Sequence, residues 1–185
     1  MSDLAELLEG FTARAGVLGV RVSRVPDASA AAEEVRAIAE AWDANEVICS
    51  AELLAAAPDL ASAVTVSGLP MVQCAGPDHA RDARLGAALG HLALAETGSV
   101  LVNERTLADR SVGLLANGYV LLVASANLVP GLDQAAPMLR RYALEERGMA
   151  TLITGPSRTA DIERVLTVGV QGPARVAVIF VDTLA

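Results

Sequence analysis

Thr151-Leu152-Ile153-Thr154-Gly155-Pro156-Ser157-Arg158-Thr159-Ala160-Asp161-Ile162-Glu163 is the stretch whose reading decides the fold. An apolar strand runs into a Gly-Pro turn, and the turn runs into a segment with helical character. That order is the unit of an α/β protein. In an open α/β sheet, ligands bind at the C-terminal ends of strands. A helix N-terminus placed there would offer free N–H groups to an anion. Ser157 and Thr159 add hydroxyls, and Arg158 adds a planar cation suited to carboxylate or phosphate. Taken alone, the same residues favour a plain turn, with Ser157 or Thr159 capping the helix and Arg158 solvated.

Working outward, strand and helix alternate. The pattern predicts helices over residues 2–12, 27–42, 51–57, 77–90, 132–147 and 159–167. Strands are expected at 20–23, 46–50, 64–66, 71–74, 99–103, 119–125, 149–154 and 175–182. Several are apolar on both faces, which signals a mostly parallel sheet flanked by helices. With 185 residues and no linker or repeat, one domain spanning 1–185 follows.

Composition narrows the function. The formal net charge is −8, aromatics make up 3%, and the basic residues include no Lys. A lysine Schiff base and a Walker A loop are excluded. Nucleic acid is not an expected partner, because backbone binding needs clustered cations. Cys49 and Cys74 lie in apolar stretches, outside any CxxC pair, so neither a metal site nor a cofactor is expected. No apolar run reaches membrane-span length and no signal pattern opens the chain, so a cytoplasmic location is expected.

Two further segments carry functional residue types. Ala95-Glu96-Thr97-Gly98 would aim a carboxylate from a helix-to-strand loop, as base or nucleophile, or leave a solvated acid beside a turn glycine. Gly169-Val170-Gln171-Gly172-Pro173 permits close backbone approach, or simply a sharp turn. A serine-hydrolase reading of Ser157 fails on order, since His79 and His91 both precede it. These two read as a loop and a helix residue, respectively. No GxGxxG follows a strand.

In this order the segments resemble the lactate-utilization protein C family, also called the LUD-domain family. The matching residues are Ala95 to Gly98, Arg110 with Leu114-Leu115, Gly155 to Glu163, and Gly169 to Pro173, within a motif-bearing half of about 91–185. The resemblance implies a fold like that of the sugar-phosphate isomerase (NagB/RpiA) and CoA-transferase superfamily. It implies a part in oxidising L-lactate to pyruvate beside iron–sulfur or cysteine-rich partner proteins. The ligand-binding set would be Glu96, Thr97, Gly98, Arg110, Gly155, Pro156, Ser157, Arg158, Thr159, Asp161, Gln171 and Gly172, around an anionic small molecule. Glu96 is the candidate catalytic residue if the chain is an acyl- or CoA-transfer enzyme, by analogy with the CoA transferases. A structural subunit with a vestigial pocket is the third alternative. Gln171 and Tyr119 stand where family members carry histidines, and neither side chain shuttles protons readily near neutral pH.

Overall fold

The computed structural model describes residues 3–144, 149–159, 167–169 and 172–184. Asp3 caps α1 (Leu4–Val17) by accepting from the Ala5 amide. Strand β1 (Arg21–Asp27) follows, and Asp27 then caps α2 (Ala28–Ala41). Next come β2 (Val47–Cys49), α3 (Ala51–Ala56), α4 (Pro58–Val66), β3 (Met71–Gln73), α5 (Pro77–Arg81) and β4 (Leu85–Gly90). The hairpin β5 (Leu92–Leu94) and β6 (Ser99–Asn103) precedes α6 (Leu107–Leu115) and β7 (Gly118–Ala124). The remainder is β8 (Leu128–Val129), α7 (Leu132–Ala143), β9 (Ala150–Ile153), β10 (Arg158–Thr159), β11 (Thr167–Val168) and β12 (Arg175–Thr183).

Six strands form a parallel sheet in the order β1-β12-β7-β4-β2-β3. Its side chains alternate between two cores. Val47, Cys49, Leu85, Ala87, Val120, Leu122 and Ile179 face α2, α3 and α4. Ile48, Tyr119, Leu121, Val123, Val178 and Phe180 face α1, α5, α6 and a second sheet. That second sheet has the order β8-β5-β6-β9 and is mostly antiparallel. α7 covers its outer side through Ala135 and Tyr142. Pro26 is tolerated because β1 is an edge strand, where a missing N–H breaks no ladder.

The parallel, helix-flanked sheet agrees with the sequence expectation, but several elements differ. Residues 77–90 are not one helix: α5 ends at Arg81, and Leu85–Gly90 is the central strand β4. Its Ala, Leu and Gly residues suit a helix locally, but small side chains are what a strand covered on both faces requires. Gly86 shows this, since a Cβ there would lie 2.8 Å from Val112 Cγ1 of α6. Residues 64–66 belong to α4, whose Leu60 and Val64 are buried four residues apart. Pro58 opens that helix at its first turn instead of only ending the one before. Residues 149–154 contribute β9 to the antiparallel sheet, with alternating exposure instead of two buried faces. The expected helix over 159–167 lies mostly outside the described residues. Its two ends are strands, Arg158–Thr159 pairing antiparallel with Thr167–Val168. His79 sits in α5, and His91 joins β4 to β5. Among the described residues no helix is long and apolar enough to cross a membrane.

Candidate functional site

The Ala95–Gly98 loop is a turn between two antiparallel strands, not a helix-to-strand connection. The Gly98 amide donates to the Leu94 carbonyl at 2.9 Å. Gly98 has φ +67°, and a Cβ there would lie 2.8 Å from the Ala15 backbone nitrogen, so glycine alone lets α1 pass this closely. Thr97 is exposed on the turn. The Glu96 amide donates to the Pro130 carbonyl, and its carboxylate accepts from the Leu132 amide at 2.8 Å. Glu96 thus caps α7, where the positive helix end favours a carboxylate.

The Gly155–Thr159 loop packs against the same end of α1. Gly155 adopts φ +93° beside Leu18 and Val20. Arg158 Nη2 donates to the Leu18 carbonyl at 2.6 Å, so its cation sits at the negative end of α1. Ser157 is held from both sides: its amide donates to the Pro173 carbonyl and its carbonyl accepts from the Gly169 amide, each at 2.9 Å. A Cβ on Gly172 would lie 3.1 Å from Ser157 Cβ. The loops of residues 95–98 and 155–159 adjoin through Ser99 Oγ and Thr154 Oγ1, 2.8 Å apart.

These placements revise the expected site. The two loops do meet, and Ser157 meets Gly169, Gly172 and Pro173. Arg158 and Thr159 are extended and pair with β11, and the residues that follow Thr159 in the expected helix lie outside the described residues. The loops also lie beside the start of β1, at the N-terminal edge of the parallel sheet. Glu96 and Arg158 reach to α7 and α1. Pro156 is half-buried in its turn. Asp161 and Gln171 lie outside the described residues.

One cavity of about 460 Å³ opens beside these loops. Leu114, Leu115, Ala116 and Asn117 at the end of α6 form one wall, Gly169 and Gly172 another, and Arg81 at the end of α5 contributes a cation. Asn117 is rigidly held. Its amide donates to the Ala83 carbonyl, its carbonyl accepts from the Ala174 amide, and its Oδ1 accepts from Arg175 Nη2. Arg175 in turn stacks over Trp42, with its guanidinium carbon 5.3 Å from the ring centre. The cavity thus sets one guanidinium-bearing residue opposite an apolar wall. No sequence pattern marks Arg81 or Asn117, since only the tertiary fold sets them beside Gly169 and Gly172.

A second group of residues lies beneath α6. Glu104 follows β6 and is 5% exposed. Thr151 Oγ1 donates to its carboxylate at 3.4 Å, and Arg110 Nε donates to its backbone carbonyl at 3.2 Å. Arg110 therefore belongs with Glu104. Burial pushes the Glu104 carboxyl up to about 7, with Thr151 and Arg110 pulling it down and Asp109 adding to the rise. Tyr119 is fully buried on the same side, and its hydroxyl has no partner among the described residues. Burial, and secondarily Glu104 and Asp109, hold its phenol well above the ordinary range. Gly113 makes room for both, since a Cβ would lie 3.0 Å from Glu104 Oε1 and 3.1 Å from Tyr119 Oη. An acid two residues after the apolar run Val100-Leu101-Val102 was the available sequence signal for Glu104.

Fold and cavity together define a two-sheet α/β protein with a small-molecule-sized cavity walled in part by Gly169 and Gly172. The family model described as "LUD domain" matches residues 77–181, and the chain belongs to that family. Relatives named "Lactate utilization protein C 1" from Bacillus mycoides and "Lactate utilization protein C" from Geobacillus kaustophilus are each 37% identical, over 106 and 108 residues. The Bacillus subtilis protein of the latter name is 36% identical over 106 residues. The matches cover 56% of this chain and 44–45% of these relatives, so the shared region is less than half of their length. The crystal structure of a DUF162 family protein from Deinococcus radiodurans superposes with a TM-score of 0.65 at 21% identity, covering 98% of this chain and 99% of that one. That likeness shows the fold.

Proposed function

We propose that the chain serves in lactate utilization as a component that binds an anionic small molecule, working beside iron–sulfur or cysteine-rich partner proteins. The names of its relatives support the pathway. The observation that carries the binding role is that two family segments wall one cavity, Leu114-Leu115 and Gly169 with Gly172, while a third family residue, Ser157, packs against Gly172. Arg81 would meet the anion, and Leu114 and Leu115 its apolar part. Cys49 and Cys74 are both buried, which fits a division of labour in which partners carry the redox centres. The cytoplasm is the proposed location.

A structural role has a specific observation in its favour: Gly98, Gly155 and Arg158 all pack on the end of α1, so the motif loops also lock a helix in place. A thermal-shift series with lactate, pyruvate, sugar phosphates, nucleotides and CoA esters separates the two readings. A ligand that binds the folded state raises its melting temperature by mass action. A shift lost in Arg81→Ala supports the anion site. No shift with any compound leaves the structural role.

A further inference from the structure

The connections leaving β2 and β4 part company. These neighbouring strands pair at Ile48↔Gly86 and Cys49↔Ala87. From β2 the chain turns into α3 and α4 on one face of the sheet and proceeds to β3 at the edge. From β4 it turns to the second sheet and α6 on the other face and proceeds to β7 in the opposite direction. The diverging connections leave a crevice above the C-terminal ends of β2 and β4. That is where open α/β sheets bind ligands, and it lies at the end of the sheet opposite to the motif loops.

A cavity of about 320 Å³ occupies this crevice, lined by Ala51, Glu52, Asn103, Arg105, Thr106 and Asp109. Its polar walls are set by defined contacts. Asp109 accepts from the Ala51 amide at 2.9 Å and from Thr106 Oγ1 at 2.7 Å, which ties α3 to α6. Asn103 Oδ1 accepts from the Met149 amide at 3.1 Å. Glu52 Oε2 lies 3.0 Å from His91 Nε2, and the His91 ring packs edge-on against buried Tyr142 with centroids 5.3 Å apart. With Nε2–H donating to Glu52, the imidazole fixes the direction of the carboxylate. Arg105 also lines the cavity.

We infer that this crevice is a second small-molecule site, for a small 2-hydroxy carboxylate, with Arg105 meeting the carboxylate and Glu52, positioned by His91, accepting a hydrogen bond from the hydroxyl. The volume suits a ligand of a few heavy atoms. The choice of a 2-hydroxy acid rests on the proposed lactate role; the crevice itself does not depend on it.

The sequence has two histidines, His79 and His91, so their imidazole C2–H resonances form a two-line spectrum that a His79→Gln variant assigns. L-lactate and glycolate are titrated into the intact chain, with propionate as the carboxylate that lacks a hydroxyl. The expected result is a saturable shift of the His91 line with little change at His79. Propionate and Arg105→Ala should each weaken binding about tenfold or more. Glu52→Gln should weaken lactate while leaving propionate unchanged, a pattern that misfolding would not produce. A His91 line unmoved by either hydroxy acid, or equal binding of lactate and propionate, would overturn the site. If a thermal shift by lactate disappears in Arg81→Ala but survives in Arg105→Ala, the motif cavity is the lactate site and this inference is wrong. The reverse pattern supports the crevice and removes lactate from the motif cavity.

Discussion

Two acids illustrate how differently burial treats the same side chain. Glu96 is exposed and caps α7, so Glu96→Ala should cost about 1 kcal/mol, as loss of a helix cap does, read by urea denaturation. A loss near zero would show that water replaces the cap. Glu104 is buried, and its folded value of about 7 lies above its ordinary 4.5. The folded state therefore keeps a proton that the unfolded chain releases in this interval. Its contribution is fully present below about pH 4.5 and is lost as pH rises to about 7 and beyond. Glu104→Gln should remove that dependence. The melting temperature of the variant relative to the parent is expected to rise between pH 5 and 8, and a difference that stays constant with pH would refute the assignment.

At the level of elements, the spacing between layers depends on small residues. A Cβ on Gly90 would lie 2.6 Å from both Val100 Cγ1 and Val123 Cγ2, between the central sheet and β6. Gly90→Ala should destabilise by about 1–3 kcal/mol through overpacking, measured as a lower denaturation midpoint. Helix α1 docks through Phe11, which is fully buried and meets Phe180 edge-on at 5.0 Å. Phe11→Ala should cost about 3–5 kcal/mol by leaving a cavity in the core. Because both motif loops rest on this helix, its loss should also increase proteolysis at residues 95–98 and 155–159. Protection of those loops in the variant would show that they hold their shape without α1.

Across the whole molecule, the parallel sheet was legible in residues such as Tyr119–Val123 and Val176–Val181, because a strand covered on both faces must be apolar throughout. The family was legible in short segments, and the match over residues 77–181 agrees with it. The secondary structure of β4 was not, since Leu85–Gly90 satisfies helix and strand patterns alike and only its neighbours β7 and β2 settle the matter. Nor were the partners of Arg158 and Glu96, each of which lies far away in sequence. Local order determined which segments pair strand with helix, because hydrophobic periodicity acts over a few residues. Tertiary structure alone decided that Arg81, Gly169 and Gly172 line one cavity and that Glu52 meets His91. Those contacts join chain segments whose approach is set by how the sheet is wound, and no local pattern of residues encodes that winding.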